Sequence, residues 1–510
     1  MNEASETGVN DRQPGLGRKA SLYRPLAEDD VKRIADAAFR VLEESGVKVY
    51  SPTARAAFKA AGALVGNGSE VVRLPRSLVE DAIDSNPSSI TLYSRNEKGY
   101  DVCLEEDRVH YGTGGTALYV LDPVTGRHRP STLEDVILNA RLVDRLDHVH
   151  LFTINVFPNE IDDKHEIDAN RFFHSLDNTD KHIMGGIYSM AGLKKAVKMA
   201  EMIAGGERSL RERPFVSFIT LIISPFKIDN DYGEMTCYLA QKGLPVVVPT
   251  EPMCGTTSPI TLASNVLVHV AETLAGIALV QCVNKGAPGI CGSVGSISDL
   301  RTMGNLGGPI ERAMINAAVS QMSLHFNLPL YSTAGTSDAK QVGVQAAYES
   351  AMSNLLVAMS GANYIHDAAG LMEFDLTVSY EKLVMDNEIL GMCQRVLRGI
   401  EVNDEKLAVD LIIEKGPGND FLAEKHTVKF MREEFYFPQI TCREKREDLN
   451  GKSNALARAR SFIKEVMNEG PRSRLAPRLR SRILETFPEI RDAEPEDDGP
   501  RSRQENRIMA

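Results

Sequence analysis

From residue 109 to residue 399 one alternation repeats. A short apolar run is followed by a turn of small or polar residues, then by a segment whose apolar residues recur at the helical period. The runs fall at 109–111, 149–157, 182–188, 215–223, 245–249, 288–291, 328–331 and 362–365. The helical segments fall at 132–146, 167–176, 193–203, 229–241, 260–283, 310–324, 342–359 and 380–399. Several runs are apolar throughout rather than alternating, as strands are when helices cover a parallel sheet. Roughly eight or nine strand–helix pairs are more than a small open sheet needs. They predict an α/β chain folded as a (β/α)8 TIM-like barrel over 107–400. The first pair is interrupted by 112–130 and has the least claim to a place in it. An open doubly wound sheet is the competing arrangement, but no Gly-x-Gly-x-x-Gly follows an early strand.

The flanks differ in texture. Residues 1–25 are polar and rich in Gly, Ser and Asn, the composition of a disordered or partner-binding arm. Residues 26–106 read as an α+β cap or oligomer contact, opening on a helix with Ile34, Ala37, Ala38, Val41 and Leu42 on one face. Amphipathic segments at 406–414, 426–434 and 454–469 predict helices packed on the barrel over 401–470. Arginines and acidic runs alternate from 471 to 510, predicting a charged, mainly solvated tail with 479–484 as a candidate helix. The apolar stretch 261–283 has Glu272 at its middle, a heavy cost in a bilayer, so it reads as a buried helix of a soluble protein. No leader-like apolar core occupies the first residues, and the seven cysteines are scattered with no Cys-x-x-Cys spacing. Both point to a cytoplasmic chain with reduced thiols and no metal site. A net charge of −12 argues against nucleic acid as a partner. The cap and the acidic surface suggest a homo-oligomer.

In such barrels reactive groups stand at the carboxyl ends of strands and in the loops that follow. Reading those places in order gives Tyr111 with Gly112-Thr113-Gly114-Gly115, then Asn155, Tyr188, Glu251, Asp299 and Arg301, Thr333 and Thr336, and finally His366 and Asp367. Each has a plainer reading. The glycine run can be only a turn, Asn155 a satisfier of backbone, and the tyrosines core or rim. Asp299 and Arg301 can be a loop salt bridge, His366 a core histidine. Glu251 follows an apolar strand and precedes Pro252, where a buried carboxylate needs a partner or a function. Lys340 is a candidate Schiff-base lysine for a lyase, or a solvated cation.

One stretch stands out, LPLYSTAGTSDAKQVGVQAAYE at 328–349. A strand breaks at Ser332-Thr333-Ala334-Gly335, and Ser337 or Asp338 is placed to cap a helix starting near Lys340. Ala334-Gly335-Thr336-Ser337-Asp338-Ala339-Lys340 and Gln345-Ala346-Ala347-Tyr348-Glu349 resemble the trimethylamine methyltransferase family. Its archaeal members carry small-Ala-Gly-Gly, pyrrolysine, Ser-Asp-Ser-Lys, then Asp-x-Gln-x-x-Tyr-Glu. Thr336 stands at the pyrrolysine position and Gly343 replaces the Asp. The resemblance runs through Asp299-Leu300-Arg301-Thr302 and Val384-Met385-Asp386-Asn387-Glu388-Ile389, over roughly 26–469.

The resemblance implies methyl transfer to a Co(I) corrinoid (cobalamin) carried by a partner protein, with nothing bound covalently. Pyrrolysine is thought to form an adduct through an amine lone pair. A quaternary ammonium has no lone pair and needs no such electrophile, so Thr336 implies a quaternary amine resembling glycine betaine. On this reading Thr336, His366 and Glu251 are the catalytic candidates. Tyr111, Asn155, Tyr188, Arg301 and Asp367 would bind substrate, with Arg301 or His366 anchoring any carboxylate and Arg312 a weaker choice. Gly114, Gly115 and Thr333 would face the cofactor. The alternatives are a barrel that binds quaternary amines without turnover, and a relative acting on another methylated amine.

Overall fold

The computed structural model describes residues 18–19, 22–95, 100–448, 454–470 and 472–492. Between Arg108 and Leu397 strand and helix alternate as the sequence predicts. The strands are β1 Arg108–Tyr111, β2 Phe152–Thr153, β3 Ile183–Gly186, β4 Val216–Ile219, β5 Val246–Thr250, β6 Gly289–Ser293, β7 Leu330–Thr333 and β8 Tyr364–His366. Each is followed by its helix: α1 Leu133–Arg145, α2 Lys164–Asn178, α3 Met190–Ala204, α4 Asn230–Lys242, α5 Leu262–Val283, α6 Ile310–Phe326, α7 Val344–Met359 and α8 Tyr380–Leu397. The strands pair in parallel in chain order from β2 to β8, and β8 pairs with β1. Gly112 bridges Leu151, and the His150 N–H donates to the Tyr111 carbonyl at 2.8 Å, which closes the ring between β1 and β2. The first pair therefore lies inside the barrel despite its long insert. The strands of the insert, Tyr119–Leu121 and His128–Pro130, join Leu371–Met372 and Thr377–Ser379 in a small sheet over the carboxyl-end loops of β1 and β8.

Strand alternation sorts the side chains into two cores. Leu151, Met184, Val247, Ile290, Tyr331 and Tyr364 pack together in the lumen, with Ile90, Leu92, Val102 and Leu104 from an N-terminal hairpin. The hairpin plugs the amino end, so the open end is the carboxyl face. The alternate residues enter the larger core between sheet and helices.

The N-terminal helices Glu28–Glu44, Pro52–Ala60 and Arg76–Ser85 pack against α5. That explains why α5 is apolar all round: the barrel covers one side and the cap the other. It is long and apolar enough to cross a membrane, yet 83% of its most apolar window is buried here. Glu272, at its middle, accepts hydrogen bonds from Ser224 Oγ, the Phe226 N–H and Thr250 Oγ1, tying α5 to the loop after β4 and the end of β5.

Two expectations are corrected. The tail is not solvated as far as Asp492. Leu475, Ile483, Phe487 and Ile490 are buried, and helix Pro477–Thr486 packs on α3. Asn170 of α2 holds this segment at both ends of its amide, donating to the Glu489 carbonyl and accepting from the Arg491 N–H. Residue 471, 493–510 and most of the predicted arm at 1–25 lie outside the described residues. The second correction concerns α7, which begins after Gly343 with no side-chain cap. Ser337 and Asp338 bond elsewhere, as described below.

Candidate active site

At the carboxyl end of the barrel, Glu251, Asp367, Asp375, Arg312, Thr336, His366 and Tyr331 converge. Alternation places three of them. Val247 faces the lumen, so Glu251 extends the same face beyond β5; likewise Tyr331 and Thr333 on β7, and Tyr364 and His366 on β8. The Tyr331 and His366 rings stack at 3.9 Å, with planes 12° apart. The Nε2 of His366 shares a hydrogen bond with Thr333 Oγ1, and Nδ1 lies 2.9 Å from Asp367 Oδ1. Asp367 is buried and holds a left-handed φ of +59°, a conformation rare outside glycine and typical of constrained sites.

Arg312, at the start of α6, is the one cation in the group. It is 3% exposed. Its Nε donates to the Gly295 carbonyl at 3.2 Å, and its Nη1 to Thr336 Oγ1 at 3.0 Å and to Asp375 Oδ2 at 2.8 Å. Glu251 is exposed at the mouth of this group, above the buried Arg312, Thr336 and Asp367. Enclosure, reinforced by the Asp375 and Asp367 charges and opposed by Arg312, pushes its carboxyl up to about 7. Three carboxylates against one guanidinium leave the site short of positive charge.

The remaining predicted residues are placed as follows. Thr336 is 2% exposed, and its hydroxyl donates to the Gly307 carbonyl at 2.7 Å while accepting from Arg312. It holds Arg312 and has no free hydrogen to offer a reactant. Tyr111 faces outward among the sheet-to-helix core, beside the His150 ring, because it is Gly112 that turns inward toward the Tyr364 hydroxyl. Asn155 is buried and donates to Asn139 Oδ1 of α1, away from the lumen. Tyr188 stands on the rim, 38% exposed, edge-on to Phe157 and beneath the Arg171 guanidinium. Arg301 is 91% exposed on the hairpin Ser296–Asp299/Gly304–Leu306 and folds back on Asp299, so it cannot anchor a ligand inside. Gly114 is glycine because Asp367 Oδ1 and His366 Nδ1 would lie within 2.5 Å of any Cβ, and Leu371 would crowd one on Gly115. Those glycines, and the buried Thr333, pack against the protein itself. Lys340 sits over the Phe374 ring at 3.8 Å and donates to the Asp338 carbonyl, an exposed cation rather than a Schiff-base amine.

The family-like stretches supply the scaffold. Glu349 accepts from Ser337 Oγ and the Asp338 N–H, and Asp338 Oδ1 accepts from the Gly307 N–H at 2.7 Å. Lys382 and Asp386, both buried on α8, pair at 2.6 Å. Lys382 also donates to the Gly335 carbonyl at 2.7 Å, and Asp386 accepts from the Gly370 N–H and Ser350 Oγ. Asn387 accepts from the His148 N–H, and Glu388 gathers the N–H groups of Gln439, Ile440 and Thr441. Sequence reasoning missed Asp375 and Tyr331 and undervalued Arg312. The adjacent Gly307-Gly308-Pro309, where Gly308 makes room for Glu349, was the one available signal for Arg312.

Comparison with known proteins bears on this arrangement. The family model described as trimethylamine methyltransferase (MTTB) matches residues 1–494. Trimethylamine methyltransferase MttB of Desulfitobacterium hafniense (strain DSM 10664 / DCB-2) is 36% identical over 407 residues, 80% of this chain and 82% of its own. Glycine betaine methyltransferase of Desulfitobacterium hafniense (strain Y51) is 32% identical over 459 residues, 88% of this chain and 94% of its own. The solved monomethylamine methyltransferase of Methanosarcina barkeri aligns over 89% of this chain and 96% of its own, at 12% identity and a TM-score of 0.47.

Proposed function

The chain belongs to the trimethylamine methyltransferase family, a family of methyl-transferring enzymes, and from that premise we propose that its methyl donor is a quaternary amine of the betaine type and its acceptor the corrinoid of a separate partner protein. The observation that carries this reading is the state of Thr336. It stands at the position the resemblance assigns to pyrrolysine, yet its hydroxyl is spent on the Gly307 carbonyl and on Arg312. A protein with no electrophile there suits a substrate that is already activated. In a quaternary ammonium the methyl C–N bond breaks with its electron pair remaining on nitrogen, and a neutral tertiary amine leaves. No proton moves, so no general acid or base is required.

A corrinoid on the partner protein would supply the nucleophile that accepts the methyl group. What this chain supplies is a cation receptor. Glu251 and Asp367 give negative charge, Tyr331 gives an aromatic face, and the closed barrel excludes water. Leu118, Tyr188, Leu300 and Met303 stand exposed on the carboxyl-end loops. Such exposed apolar side chains suit a macrocycle presented from outside.

Glu251 makes the reading testable without any acceptor. Its carboxyl is pushed up to about 7 by the surrounding protein, and a bound quaternary cation favours the ionised form. The cation itself does not titrate. Affinity for tetramethylammonium should therefore rise about tenfold from pH 6 to pH 8, the range over which a group of that pKa ionises. Calorimetric titration across that range checks it. An affinity independent of pH would remove Glu251 from the receptor, and no binding at any pH would remove the quaternary-amine reading.

A further inference from the structure

The Arg312–Asp375 pair is incompletely made. A guanidinium and a carboxylate normally meet fork to fork, with two parallel hydrogen bonds. Here a single bond of 2.8 Å joins Nη1 to Oδ2. The Arg312 Nη2 and the Asp375 Oδ1 are both buried, and neither has a partner. Each leftover group matches the other in type, while Asp375 Oδ2 also accepts from Asn305 Nδ2 at 3.2 Å. Asp375 belongs to the turn between Leu371–Met372 and Thr377–Ser379, where Glu373, Phe374 and Asp375 hold φ values of +51°, +61° and +66°. Three successive non-glycine residues in the left-handed region are strained, and strain of this kind collects at sites that change state. Arg312, by contrast, is fixed independently of Asp375, by the Gly295 carbonyl and Thr336.

We propose that Arg312 is the anchor for the carboxylate of a zwitterionic quaternary amine, and that Asp375 is an internal stand-in which the substrate carboxylate displaces. This rests on the quaternary-amine reading and refines it to amines bearing a carboxylate. The incoming carboxylate takes both Nη1 and Nη2. Asp375, already partly exposed, moves out with its turn, and the left-handed run relaxes. The trimethylammonium end then lies among Glu251, Asp367 and the Tyr331 face, whose charges already act on Arg312 or on one another. A cation lacking a carboxylate leaves Asp375 where it is. The arrangement thus separates betaines from choline-like amines by which of two carboxylates occupies one guanidinium, and it places the discriminating charge at the start of α6.

The test compares binding of glycine betaine and tetramethylammonium to the full-length chain. Arg312→Gln should weaken glycine betaine about 30-fold or more and tetramethylammonium by no more than about threefold. Asp375→Asn should tighten glycine betaine by about fivefold or more, since no charge then competes for Arg312. A second measurement uses the unaltered protein. Glycine betaine should speed amide hydrogen exchange across 371–379, where Leu376 and Ser379 donate to the Glu373 and Gly370 carbonyls, while tetramethylammonium should not. Equal weakening of both ligands by Arg312→Gln, or exchange unaffected by glycine betaine, overturns the exchange of carboxylates while leaving quaternary-amine binding intact. Failure of both ligands to bind overturns the underlying reading as well.

Discussion

Lys382→Met is expected to lower folding stability by about 3–5 kcal/mol, the cost of leaving one member of a buried ion pair uncompensated. Lys382 and Asp386 are both nearly inaccessible. Together they fasten four segments: the loop after β7 through the Gly335 carbonyl, the loop after β8 through the Gly370 N–H, α7 through Ser350, and α8 itself. Methionine matches the lysine in length but leaves Asp386 charged and unpaired and the Gly335 carbonyl unmet. Gly335 adjoins Thr336, which holds Arg312, so the loss extends to the site. Urea unfolding reads the effect as a lower midpoint at unchanged slope. A shift worth less than about 1 kcal/mol would mean the loops are held by something else.

The second large effect falls on chemistry rather than stability. Glu251→Gln should lower kcat/KM for a quaternary donor about 10- to 100-fold at pH 8, equivalent to about 1.4–2.7 kcal/mol of lost cation stabilisation. Among the described residues no hydrogen bond ties Glu251 to the fold, in contrast to Glu272, Glu349 and Glu388. Thermal unfolding should therefore move little. The variant should also lose the rise in affinity between pH 6 and 8. An unchanged kcat/KM would show that the cation sits elsewhere.

What was legible in the sequence follows physical lines. Parallel strands covered by helices read as unbroken apolar runs, so the strand–helix alternation and its closure were visible, although the runs at 149–157, 182–188 and 215–223 shrink to Phe152–Thr153, Ile183–Gly186 and Val216–Ile219. The same continuity hides which face a residue takes. Tyr111 ends β1 and so looked like a site residue, but register turns Gly112 inward and Tyr111 toward α8 and the His150 ring. Glycines at 114 and 115 correctly signalled close approach, without saying that Asp367, His366 and Leu371 were the approaching groups. Asp375 lies in a turn whose left-handed backbone no residue type there announces. Arg312 ranked as a weaker anchor because it sits near a helix start, one position after Glu311. In the tail, charge density masked four apolar residues that become buried where the last helix packs on α3.

The central claim is that this barrel works on a methyl group activated by positive charge on nitrogen, with no reactive side chain at position 336. The most direct measurement incubates the full-length chain with reduced cob(I)alamin as acceptor. Glycine betaine and trimethylamine are supplied separately, and loss of the acceptor's absorbance is followed alongside appearance of the demethylated amine. The account predicts that glycine betaine gives up one methyl group while trimethylamine gives none. Turnover of trimethylamine at a comparable rate, or of neither amine, would contradict it.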